Sequence, residues 1–181
     1  MSAEAGPEGV HSGRRRWQLQ YLPDQRLFQA TSHSGKISQT LGAYRDGKYL
    51  LSAPEAFYLL SGGRARLMGE EKTDQPKLYW APRLLAAVDG NSSLLYAFCR
   101  LKDIGYILTS TSCPRWKVYS PNDRFKKTDP PPPLGELSFV SARGTLFDMI
   151  VAANFPNRAL VCVCSETSFT FLQVEWTDLS I

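Results

Sequence analysis

Apolar and polar positions alternate with a period of two near the front of the chain. Trp17-Gln18-Leu19-Gln20-Tyr21-Leu22 follows that pattern, which puts every second side chain on one face of a β-strand. Pro23-Asp24 supplies a turn, and Arg26-Leu27-Phe28-Gln29-Ala30-Thr31 returns as an antiparallel partner. Lys48-Tyr49-Leu50-Leu51 then leads into the strongest helix signal. Ser52-Ala53-Pro54-Glu55 is a capping-box sequence with proline in the first turn, where a missing N–H costs nothing. Ala56, Phe57, Leu59 and Leu60 give that helix an apolar face, and Gly62-Gly63 ends it. A strand over 64–68 follows, with its arginines on one side.

The polar stretch 69–75 predicts a loop. A second helix is expected from Ala81-Pro82 through Leu84, Leu85 and Val88 to Gly90. A third, over 92–104, places Leu94, Phe98 and Leu101 at helical spacing and stops at Gly105. Strands are expected over 106–109, 116–119 and 137–141, with a polar loop over 120–133 that ends in four prolines, a stiff spacer. Leu146, Met149, Ile150 and Ala153 predict a short amphipathic helix over 145–153, and 158–164 and 169–174 predict a closing hairpin. Helices and strands mixed in this order give an α+β or α/β protein: a small N-terminal mixed α/β lobe over 14–90 and a second lobe over 91–181, divided near Gly90-Asn91.

Composition changes this picture little. Apolar residues make up 43% of 181, enough for an ordinary core, and no apolar run approaches the roughly 18 to 20 residues of a membrane span. Residues 1–13 lack an apolar stretch, so a disordered lead-in is expected there and a secretory signal is not. Cys99, Cys113, Cys162 and Cys164 do not have zinc-knuckle spacing. Cys162 and Cys164 alternate in a strand, where packing in a core is the expected role and metal or redox work the alternative; reduced thiols fit a cytosolic or nuclear protein.

Charge is uneven. Residues 128–181 hold Arg143 and Arg158 against six carboxylates, a balance of −4, so the net +4 of the whole leaves +8 on the first 127. That density fits contact with RNA phosphate, and a solvated face fits it too. No phosphate loop, Gly-x-Ser-x-Gly, His-Glu-x-x-His or Cys-x-x-Cys occurs, and no cofactor is implied.

Three blocks carry a resemblance. The first is Gly35-Lys36-Ile37-Ser38-Gln39-Thr40-Leu41-Gly42, with Gly47-Lys48 and Pro54-Glu55-Ala56-Phe57-Tyr58-Leu59-Leu60 after it; the second is Tyr96 to Tyr106; the third is Tyr119 with Phe125-Lys126-Lys127-Thr128-Asp129-Pro130. They resemble the non-catalytic structural subunit of the tRNA-splicing endonuclease family, with Ser38 standing where the family has tryptophan. The large insertion found before the third block in eukaryotic versions is absent, which suggests a compact version or the ordered core alone.

The resemblance implies a second lobe of the tRNA-intron-endonuclease type without activity. Catalytic subunits of the family cut RNA with a Tyr…His…Lys set, which supplies a base, an acid and a cation to metal-free cleavage by the ribose 2′-hydroxyl. Tyr119 stands at the tyrosine position, yet His11 and His33 both precede it and the last lysine is Lys127. The implied role is therefore to position precursor tRNA and the partner catalytic subunits in a nuclear heterotetramer with no membrane attachment. Arg124, Lys126, Lys127 and Lys36 are the expected RNA-binding residues, and Glu166, Phe169, Phe171 and Val174 the expected subunit interface. The alternatives are a stand-alone RNA-binding or scaffold protein with the same fold, and an active RNA endonuclease with altered residues.

Overall fold

The computed structural model describes residues 16–32, 39–70, 74–112, 115–121, 125–141, 158–164 and 169–175. The alternating front segment becomes β1 (Trp17–Leu22), which buries Trp17 and Leu19 and leaves Gln18 and Gln20 outside. A single 3-10 turn carries the chain into β2 (Leu27–Ser32), antiparallel to β1, with Tyr21 opposite Phe28. β3 (Ala43–Arg45) and β4 (Lys48–Leu51) form a second hairpin. Neither strand is among those expected from the sequence pattern. Its turn is Asp46-Gly47, both at positive φ (50° and 73°), the backbone twist that two-residue hairpin turns require.

α1 (Ala53–Ser61) starts at Ser52 as its capping sequence predicts, and β5 (Ala65–Leu67) returns beside β1 in parallel. The first sheet has the order β3-β4-β2-β1-β5.

α2 (Pro76–Ala87) begins five residues ahead of the expected Ala81-Pro82. Pro76 occupies the first turn, while Pro82 lies inside the helix. Trp80 and Leu84, four apart, supply the buried contacts that hold this helix despite the interior proline. α3 (Ser92–Asp103) is capped by Asn91, whose side chain accepts from the Leu94 N–H at 3.3 Å. Its buried face is Leu95, Ala97, Phe98 and Leu101, so Phe98 and Leu101 lie where expected, while Leu94 is only half-buried and Leu95 takes its place.

β6 (Ile107–Ser112), β7 (Arg115–Tyr119), β8 (Gly135–Ser141), β9 (Arg158–Cys164) and β10 (Phe169–Glu175) build the second sheet in the order β10-β9-β8-β7-β6. The expected closing hairpin is present, with Phe171 opposite Cys162. β8 and β9 run parallel, a pairing that needs a crossover connection. The helix expected over 145–153 lies in that connection and outside the described residues, as does the expected lead-in over 1–13.

Both sheets drain into one apolar cluster. Leu19, Phe28 and Leu51 from the first join Leu108, Trp116 and Leu137 from the second, with Leu59 of α1 and Phe98 of α3 between them, and Cys162 is fully buried in the same cluster. α1 and α3 form the seam, where Phe57 meets Tyr96 edge-on at 5.2 Å and Trp80 at 6.0 Å. Each such large apolar side chain contributes about 1.5–3 kcal/mol on burial. The turn at Gly90-Asn91 falls between α2 and α3.

Candidate functional site

The capping sequence of α1 does more than start a helix. Glu55, only 3% exposed, turns back so that one carboxylate oxygen accepts from the Ser52 N–H and hydroxyl, each at 2.8 Å. Its other oxygen accepts from the Gly42 N–H at 2.7 Å, which ties the approach to β3 onto the helix start. Gly42 sits at φ +62°, and a Cβ there would lie 2.6 Å from the Tyr49 ring and 2.8 Å from the Leu50 carbonyl oxygen. Only glycine fits this turn.

With both N–H and side chains committed on one side, the turn presents two carbonyls on the other. Lys127, from the loop after β7, donates to the carbonyl of Leu41 and to that of Gly42, the latter at 2.5 Å. The Tyr49 hydroxyl also donates to Leu41, and the Lys127 ammonium lies 5.8 Å from the Tyr49 ring. A loop of the second sheet is thereby pinned into the first.

The charges respond to this burial. Desolvation holds the Lys127 amine below the usual lysine range, and the Glu55 carboxylate partly offsets it. Lys102 on α3 is pushed down to about 8, first by burial; Glu55 opposes this, and the charges of Lys127 and Arg64 add to it. Burial, followed by the charge of Glu55, raises the Tyr49 phenol well above its ordinary value.

Beside the pinned loop is a cavity of about 290 Å³, lined among others by Arg45, Glu55, Thr109, Tyr119, Phe125 and Lys127. Both sheets and the loop between β7 and β8 contribute to its wall. Tyr119 lies opposite Ile107 in the β6–β7 ladder, and its ring packs on Phe125 at 5.0 Å. Arg45, at the tip of β3, is exposed and has no ion-pair partner among the described residues.

The structure distributes the sequence-derived candidates unevenly. Lys126 is exposed, whereas its neighbour Lys127 is half-buried in the socket just described. Arg124, Lys36 and Glu166 lie outside the described residues. Phe169, Phe171 and Val174 lie on β10, the last strand of the second sheet among the described residues, opposite Cys164, Cys162 and Ala159; Phe171 is half-buried against the core. Tyr119 and Lys127 share the cavity, while His11 and His33 are both outside the described residues. Sequence reasoning missed Arg45, Gly42 and the second task of Glu55. The available signals were the Asp46-Gly47 turn beside Arg45 and the glycine that closes the Gly35 to Gly42 block.

Among the described residues, no three His, Cys, Asp or Glu side chains gather as metal ligands, and no helix is long and apolar enough to cross a membrane. The geometry thus defines an α+β protein whose two sheets meet at a basic, hydroxyl-lined cavity beside a buried carboxylate–amine junction. No family model matches the sequence. The chain is similar to the mouse (Mus musculus) tRNA-splicing endonuclease subunit Sen54, with 34% identity over 91 residues. That match takes in 49% of this chain and 17% of the mouse protein, so the chain spans less than a fifth of the relative's length.

Proposed function

We propose that this chain acts as a non-catalytic subunit of a tRNA-splicing endonuclease complex, positioning precursor tRNA and catalytic partner subunits for intron excision in the nucleus. The observation that carries this is the similarity over 91 residues to a subunit of that enzyme. The residue chemistry supports it. Scission through the 2′-hydroxyl needs a base, an acid and a cation around one phosphate. Residues 128–181 contain neither histidine nor lysine to accompany Tyr119.

The exposed Lys126 and the Arg124 and Lys36 side chains are the RNA contacts in this proposal, holding phosphate by position without reading bases. β10 is the partner-facing element. Among the described residues β10 is the last strand of its sheet, and a strand in that place is suited to pairing with a strand of another chain. Glu166, Phe169, Phe171 and Val174 belong to that surface.

Affinity purification of the tagged chain with mass spectrometry, joined to an intron-excision assay, tests the proposal. Co-purification of larger nuclease subunits, with excision that depends on them, is expected. A monodisperse monomer with no nuclease subunits would leave a stand-alone RNA-binding protein in its place. Cleavage of precursor tRNA by the purified chain in chelator would instead identify an active nuclease.

A further inference from the structure

From the cavity between the two sheets we infer a binding site for the phosphate of a ribonucleotide, held by the Arg45 guanidinium and the Tyr119 and Thr109 hydroxyls. Three features of the wall lead there. The first is charge. Arg45 and Lys127 both line the cavity, against Glu55 as the acid in its wall. Both Glu55 oxygens are already engaged by Gly42 and Ser52, so this carboxylate faces its own backbone partners. The Glu55 charge still offsets one of the two cations, so the wall keeps an excess of one positive charge, centred on Arg45, which is exposed and without an ion-pair partner among the described residues.

The second feature is donor number. A guanidinium fork and two hydroxyls offer about four hydrogen bonds, which the three or four oxygens of a phosphate accept with sites left over for its own sugar or for water. Among the described residues nothing hydrogen-bonds the Tyr119 hydroxyl; its ring is fixed by Phe125 at 5.0 Å and it lines the cavity. A tyrosine held in this way loses little rotamer freedom when a ligand arrives. The third feature is size. A volume of about 290 Å³ lies at the lower end for small-molecule sites, room for a phosphate with its sugar and not for several nucleotides at once.

The same chemistry has two sources, a free nucleotide or one residue of an RNA strand. The strand source rests on the function proposed above; the anion site does not.

The test is equilibrium binding to the full chain, comparing inorganic phosphate, adenosine 5′-monophosphate and the uncharged adenosine. Adenosine 5′-monophosphate is expected to bind at least about tenfold tighter than adenosine, the worth of one charge-assisted contact. Arg45→Ala should weaken it by about tenfold or more. The Arg45 side chain is exposed, so its thermal unfolding should match that of the parent chain. Tyr119→Phe, which removes one hydroxyl and keeps the ring, should weaken binding by about three- to tenfold.

Equal binding of the charged and uncharged probes, binding of neither, or an Arg45→Ala variant with full affinity would each overturn the site. Full affinity in Tyr119→Phe would remove the hydroxyl from it. A 5′-phosphorylated oligoribonucleotide then separates the sources. Binding about tenfold tighter than the mononucleotide, and displaced by it, identifies a strand; equal binding identifies a free nucleotide. A chain that joins nuclease subunits but binds no phosphate sinks the cavity alone, and one that binds phosphate without joining them sinks only the complex.

Discussion

Two ionic contacts tie distant parts of this chain together, and they differ in what governs their worth. At the surface, Arg26 in the β1–β2 turn meets Asp89 after α2 at 2.6 Å, with side chains 57% and 76% exposed. At the junction of the sheets, Glu55 and Lys127 do not form a direct ion pair of that kind. They act through the same turn, the carboxylate accepting from the Gly42 N–H and the ammonium donating to the Leu41 and Gly42 carbonyls. By separation of charges alone the surface pair looks stronger. Desolvation reverses the ranking, because water answers both charges of the surface pair and reaches little of the junction.

The sharpest way to break this comparison is Glu55→Ala. It leaves the N–H groups of Gly42 and Ser52 without their acceptor and two half-buried amines without their counter-charge. The expected loss is about 3–5 kcal/mol in chemical denaturation, the usual cost of removing one side of a buried charged network. A loss under about 1 kcal/mol would mean that the turn relaxes and that water takes the place of the carboxylate. Lys127→Met comes next. It keeps the aliphatic stem and removes the donor to Gly42, while Leu41 retains the Tyr49 hydroxyl. About 1–2 kcal/mol is expected, below the usual value for a charged hydrogen bond because burying the ammonium already costs stability.

Titration separates the two regions further. Lys102 releases its proton at about 8 in the folded chain and near 10.5 when unfolded. Between those values the unfolded chain holds more protons, so raising the pH shifts the equilibrium toward the fold. Tyr49 works in the opposite sense above about pH 10, where the unfolded phenol ionises and the folded one stays protonated. The Cys99 thiol, pushed up by burial to about 12, adds to that opposing sense from about pH 9, where the unfolded thiol ionises. Stability should therefore climb from about pH 8, level off between about pH 9 and about pH 10, and then fall. The climb is on the order of 1–2 kcal/mol; Lys102→Met should reduce it, leaving the part that the half-buried Lys127 amine contributes. Denaturation midpoints measured across that range check both limbs. A flat profile would show that water reaches the Lys102 amine.

How far the sequence foretold these regions follows from the range of the forces that built them. The α1 start was legible because Ser52 and Glu55 act within one helical turn, and β1–β2 and β9–β10 because alternation and a nearby turn suffice. α2 was misplaced at its start because Pro82 reads locally as a first-turn proline. Only the burial of Trp80 and Leu84 reveals that the helix runs through it. The candidate site was less legible still. Lys126 and Lys127 are the same residue type side by side, and nothing local says that one faces water while the other reaches 85 positions back to Gly42. Arg45 likewise gains meaning only when β6, β7 and the loop after β7 close the other side of its cavity.

The smallest expected effect belongs to the surface pair, and it sharpens the comparison most cleanly. Arg26 is itself in the left-handed region, at φ 53°, closing the turn after Pro23 through its backbone N–H. Arg26→Ala would therefore change two things at once, the ion pair and the cost of that φ, whereas Asp89→Asn removes only the charge and suits an asparagine-tolerant φ of 50°. Asp89→Asn should cost about 0.2–1 kcal/mol in low salt and nothing measurable at about 1 M salt, where the screening length falls to about 3 Å. Glu55→Ala should keep its full cost under the same conditions, since ions do not enter the space between Gly42 and α1. If both losses faded with salt together, the junction would be as wet as the surface, and burial would not be what ranks the two.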